Sequence, residues 1–82
     1  MLVILDEKIK VGAIFNINGQ IKPVWFKFKD TKIFIKSLIY QWKEREGSDT
    51  IYKFTATDGV NIYEIFYSKN NLEWRLVAMD EK

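Results

Sequence analysis

Ile33-Phe34-Ile35-Lys36-Ser37-Leu38-Ile39-Tyr40-Gln41-Trp42-Lys43-Glu44-Arg45-Glu46 is the stretch on which the fold class turns. At helical spacing, Ile35, Leu38, Ile39 and Trp42 make one apolar stripe of a helix that starts near Thr31 and stops at Gly47. At a period of two, Phe34, Leu38, Tyr40 and Trp42 alternate with Ile39, Gln41, Lys43 and Arg45. The strand reading fits better, because isoleucine and aromatic side chains suit a pleated, half-buried surface. Lys36 breaks the alternation and marks a bulge or bend. At ~3.3 Å per residue a single strand of this length would run ~45 to 50 Å. It must therefore bend, and it can serve two sheets of a small barrel.

The flanking sequence agrees with a β-domain. Asn18-Gly19 separates Ile9 to Ile17 from Gln20 to Phe28, and Asp58-Gly59 separates Thr50 to Thr57 from Val60 to Ser68. Both dipeptides suit the positive φ angles of a two-residue hairpin turn. Lys29 to Lys32, Gly47-Ser48-Asp49 and Lys69-Asn70-Asn71 supply the other connections. The expected architecture is all-β, one domain over residues 1–82, with six strands in an antiparallel meander that forms a small barrel or a strongly bent sheet. Alternation places Ile9, Val11, Ala13, Phe15 and Ile17 inward, then Val24, Phe26 and Phe28, and in the last strand Leu72, Trp74, Leu76 and Ala78. Trp25, Lys27 and Lys29 take the outward phase, and Trp42 and Trp74 read as core. Tyr63, Ile65 and Tyr67 oppose Ile62, Glu64 and Phe66, with apolar groups on both sides, as in a central strand.

Composition then narrows the chemistry. The 82 residues include neither cysteine nor histidine, which removes disulfides, thiolate chemistry, Cys/His metal sites and His-based catalysis. A domain this small buries only about 60 to 65% of its unfolded surface, leaving little room for an enclosed active site. Gly12, Gly19, Gly47 and Gly59 stand too far apart for a phosphate loop. Glu44 and Glu46 would share a strand face about 7 Å apart, yet the same pattern describes solvated charges beside a hairpin. A small hydrolase would need Glu44 or Glu64 to be buried with a raised pKa. Asp58 is explained by its turn. No enzyme, metal or cofactor is expected, and the absence of cysteine and of a secretory start fits a cytoplasmic protein.

Charge is distributed unevenly. Residues 8–45 hold nine basic and two acidic side chains, a net +7, whereas residues 46–82 carry a net −3. Trp25-Phe26-Lys27-Phe28-Lys29 interleaves aromatic with basic groups, and Lys43, Arg45, Lys53 and Arg75 also fall opposite the expected core. An exposed ring beside a strip of cations is how single-stranded nucleic acid is held, with cations along the phosphates and rings stacked on bases. The candidate nucleic-acid-binding set is therefore Trp25, Lys27, Lys29, Lys43, Arg45, Lys53 and Arg75. The competing reading is a protein-interaction or homo-oligomerisation domain. It would meet its partner through an apolar patch of Trp25, Ile62 and Phe66, or pair an edge strand with a copy of itself.

Pro23-Val24-Trp25-Phe26, Tyr40-Gln41-Trp42, Thr57-Asp58-Gly59, Ile62-Tyr63-Glu64-Ile65 and Leu72-Glu73-Trp74-Arg75-Leu76 carry a family likeness over residues 9–77. The chain resembles a family of short uncharacterised bacterial proteins that have a Trp-Phe hairpin, a Tyr-x-Trp strand, a Thr-Asp-Gly turn and a final Trp-Arg-Leu strand. It is similar, more distantly, to small domains encoded near Y-family DNA polymerases, which are richer in arginine and tryptophan. The resemblance implies an all-β fold and an accessory or binding role in DNA damage tolerance. It supplies no established functional residues.

Overall fold

A computed structural model describes residues 1–82 as seven strands: β1 (Leu2–Phe15), β2 (Ile21–Phe28), β3 (Thr31–Phe34), β4 (Ser37–Glu46), β5 (Asp49–Thr57), β6 (Ile62–Ser68) and β7 (Glu73–Asp80). All neighbours are antiparallel, in the order β3-β2-β1-β7-β6-β5-β4. The fold is all-β as expected, with seven strands in place of six and a sheet that does not close into a barrel. The extra strand comes from the stretch that decided the class. It bends at Ile35 and Lys36, so that β3 lies on one edge of the sheet and β4 on the other. Ile35 N–H donates to Val24 O at 3.0 Å while Lys36 N–H donates to Thr57 O at 2.7 Å, so two successive residues serve opposite edges. Closure goes no further, because β3 pairs only with Trp25–Phe28 and leaves the first residues of β2 with β1 alone as a neighbour. No helix is long and apolar enough to cross a membrane.

Residues 2–8, given no strand by the sequence reading, are the first half of β1. Leu2–Ile9 pairs with β7 and Lys10–Phe15 with β2. A register shift between Ile4 and Glu7, where Asp6 has φ 140°, bends the strand. This change of neighbours folds the β1–β2–β3 end over the rest of the sheet. Phe26 of β2 thus meets Tyr63 of β6, ring centroids 5.0 Å apart and edge to face. Phe26, Tyr63, Ile65 and Leu76 form one buried cluster, and Ile21, Phe54 and Tyr67 form a second. Trp74 packs against both clusters, in the core role expected of it. Central placement of Tyr63, Ile65 and Tyr67 also holds, since β6 pairs on both sides.

Three bulges displace the expected alternation. In β4 the register shifts between Leu38 and Tyr40, with Ile39 as the extra residue. Directly opposed residues face the same side of a sheet. Tyr40 and Trp42, opposite Thr55 and Lys53, therefore point outward, while Lys43 and Arg45, opposite Tyr52 and Thr50, point to the inner side. Trp42 is thus not a core residue: its indole lies beside Tyr40, centroids 5.1 Å apart, and its Nε1–H donates to Glu44. Val77 is the extra residue opposite Glu64/Ile65 in β7, and Val24 plays that part in β2. Leu72, expected to point inward, precedes β7 at φ 54° and is exposed, as are Phe15 and Ile17 at the end of the inward phase of β1.

Both expected hairpins form, but on longer loops. Asn16–Gln20 joins β1 to β2, with Gly19 N–H donating to Asn16 O, and Asp58–Asn61 joins β5 to β6. Two-residue turns occur instead at Gly47-Ser48 and at Lys29-Asp30, where both residues have positive φ. In the second loop Asp58 Oδ1 accepts the N–H groups of Val60 and Asn61 at 2.8 and 2.7 Å, and Oδ2 accepts the Tyr63 hydroxyl at 2.8 Å. Partial burial opposes ionisation of Asp58, but these hydrogen bonds outweigh it and hold the carboxyl below its ordinary range. Burial, in turn, pushes the Tyr63 phenol up.

A pH dependence of stability follows. A carboxyl with a depressed folded pKa contributes stability that is present above its unfolded value, about 4, and lost as pH falls through the folded one. Asp49, lowered by hydrogen bonds from Ser68 and Asn70, acts the same way. The raised phenol contributes stability that is lost as pH climbs past about 10. The urea midpoint should be level between these limits and fall outside them. Asp58→Ala should lower the plateau by roughly 1 to 3 kcal/mol, since it strands the hydroxyl of buried Tyr63, and should blunt the acid limb.

Candidate nucleic-acid interface

The bulge at Val24 sets which way β2 presents its side chains. Gly12 stands opposite Trp25, but Ala13 stands opposite Pro23, so Val24 has no partner on β1. Phe26 therefore points inward on one side of the bulge, and Pro23 and Ile21 on the other. Trp25, Lys27 and Lys22 face outward. Pairing carries the pattern across three strands. Lys10, Lys27 and Lys32 are directly opposite one another on β1, β2 and β3, and Gly12, Trp25 and Phe34 form the next row. Ile14 and Lys22 continue the same face.

Trp25 lies flat on the backbone of β1, and Gly12 is what permits it. A Cβ at residue 12 would fall 2.1 Å from the indole Nε1, so any larger residue there would push the ring off the sheet. Lys32 covers the other side, with Nζ 4.3 Å from the Trp25 ring and 5.6 Å from Phe34. Phe34 itself is exposed. The face thus offers one exposed ring, one ring under the Lys32 ammonium, and four lysines (Lys10, Lys22, Lys27, Lys32) without an ion-pair partner.

The other expected cations do not join it. Lys29 sits at the hairpin tip with its ammonium 5.3 Å over Phe28. Lys53 lies over Phe66 and pairs with Glu44 at 2.9 Å and Glu46 at 3.7 Å. Arg75 pairs with Asp6 at 3.0 Å and Glu73 at 3.6 Å. These two are neutralised on the outer face of β4–β7, and Lys8, on β1 opposite Arg75, is paired to Glu73 at 3.1 Å. Lys43 and Arg45 point to the inner side, as the Ile39 bulge dictates. Of the seven residues expected from sequence, only Trp25 and Lys27 belong to this face. Lys10, Lys22, Lys32 and Phe34 were missed, although the phase shared by Lys32 and Phe34, folded back across Lys29-Asp30, would have found two of them.

The remaining expectations resolve locally. Trp25 is separated from Ile62 and Phe66 by β1 and β7, so the three do not form one patch. Glu44 and Glu46 do share a face, and Lys53 bridges them. The Lys53 hydrogen bond, followed by that from Trp42, holds Glu44 below the usual carboxylate range, the reverse of what a general acid needs. No group of three or more acidic side chains is gathered as a metal site would require. No family model matches the chain, and neither does any curated protein or solved structure.

Proposed function

We propose that the chain is a small non-enzymatic cytoplasmic module that binds single-stranded nucleic acid on the outer face of β1, β2 and β3. Lys10, Lys22, Lys27 and Lys32 hold phosphates, Phe34 stacks on a base, and Trp25 joins it once Lys32 moves onto the backbone of the strand. The observation that carries the reading is the row Lys10-Lys27-Lys32. Like charges directly opposed across strands destabilise a sheet, and here no carboxylate compensates them, whereas every cation on the outer face of β4–β7 is paired. A polyanion supplies the missing partner. The resemblance to small domains encoded near Y-family DNA polymerases supports an accessory role in DNA damage tolerance.

The test is tryptophan fluorescence during titration with an oligothymidylate at low and at physiological salt. Quenching that weakens with salt and disappears in Trp25→Phe is expected. An unchanged signal at both salt concentrations would overturn the proposal.

One observation favours a second reading, homo-oligomerisation. Strand β4 is a free edge with Ile39 and Tyr40 exposed, and such an edge can pair with a copy of itself. Sedimentation equilibrium separates the readings, since this one requires a dimer that Tyr40→Lys dissolves.

A further inference from the structure

The unclosed side of the sheet opens into its interior beside the first residues of β2. A cavity of about 310 Å³ lies there, floored by Phe15, Tyr52 and Tyr67. Phe15 and Tyr52 flank the Tyr67 ring at 5.9 and 6.2 Å between centroids. The cavity shares Tyr52 and Lys69 with a second hollow that Lys43 and Arg45 line; Glu44 borders it too, but its carboxylate is engaged by Trp42 and Lys53 on the outer side. Lys43 and Arg45 face inward only because the Ile39 bulge reverses β4, and bulges recur where a side chain is re-aimed toward a ligand. None of Lys43, Arg45 and Lys69 is in an ion pair. Of the four tyrosine hydroxyls, only that of Tyr63 is bonded within the chain, so those of Tyr52 and Tyr67 are free to meet a ligand.

We infer that this cleft binds a small aromatic anion, its ring held among Phe15, Tyr52 and Tyr67 and its charged group directed to Lys43, Arg45 and Lys69. A concave apolar lining, here three rings inclined to one another at 72° and 41°, with a few polar groups is how small-ligand sites are built, and about 300 Å³ suffices for a compact ligand. The site is distinct from the lysine row of β1–β3 and goes beyond the nucleic-acid reading.

Amide shift mapping with 2-naphthoate, and with neutral 2-naphthamide as its counterpart, tests the inference. Saturable naphthoate shifts confined to the amides of residues 15–21, 50–52 and 67–72 are expected, with naphthamide weaker. Lys43→Gln/Arg45→Gln/Lys69→Gln, which alters only exposed side chains, should weaken naphthoate by about tenfold or more and leave naphthamide unchanged. Lys10→Gln/Lys27→Gln/Lys32→Gln should leave both unchanged. Scattered or unsaturable shifts, equal affinity for the two probes, or an unaltered naphthoate affinity in the first triple variant would each overturn it.

Discussion

Exchanging Lys10, Lys27 and Lys32 together for glutamine is expected to lower the affinity for an oligothymidylate by roughly 100-fold at ~0.1 M salt. Each phosphate contact on a single strand releases about 0.7 of a counterion, which at that salt is worth about 1 kcal/mol, so three contacts give about two powers of ten. Folding should not suffer. The three side chains are exposed, and removing like charges that stand opposite one another relieves repulsion, so a small gain in stability should accompany the loss of binding. The paired cations provide the contrast. Lys53→Gln and Arg75→Gln should change the affinity little, because Glu44 with Glu46 and Asp6 with Glu73 already satisfy them. Fluorescence anisotropy of a labelled oligonucleotide reads both effects. Equal losses in the two sets would mean that binding follows net charge and not this face.

Phe26→Ala should cost about 3 to 5 kcal/mol, close to the whole stability of so small a domain. Phe26 is fully buried and sits edge to face on Tyr63, the contact by which the folded-over end of the sheet meets the rest. Its removal leaves a cavity that β2 cannot fill, because Gly12 and Trp25 lock the other face of the same hairpin. A fall in melting temperature of roughly 15 to 30 °C is expected by circular dichroism. Ile17→Ala, in the exposed β1–β2 loop, should stay within about 0.5 kcal/mol of the parent. A mild Phe26→Ala phenotype would mean that the two parts of the sheet hold together without this contact.

The β class was legible in Ile33 to Glu46, and so was the bend, because a strand that long has to turn and Lys36 interrupts its alternation. What could not be read were the bulges at Asp6, Val24, Ile39 and Val77. A period of two has no memory of an inserted residue, and each insertion reverses every later side chain. An unbroken period of two therefore puts Trp42 in the core and Lys43 and Arg45 outside, the reverse of where the Ile39 bulge turns them. Residues 2–8 were lost because their partner is β7, at the far end of the chain, and because Asp6-Glu7 interrupts the apolar run at the bulge. The candidate site divides along the same line. Trp25 and Lys27 were visible because their context is their own strand, whereas the neutralisation of Lys53 and Arg75 depends on carboxylates brought by β4 and β1. The lysine row across β1, β2 and β3 exists only once three strands are in register.

Binding of a single strand on this face requires the row to meet phosphate, which the salt dependence of oligothymidylate affinity for the unaltered protein tests. Four unpaired lysines on the face predict a slope of log K against log salt near −3, at about 0.7 per contact. The Lys10→Gln/Lys27→Gln/Lys32→Gln variant should bring it to between about −1 and zero. A flat slope for the unaltered protein, or no binding at low salt, would mean that the lysine row does not hold phosphate.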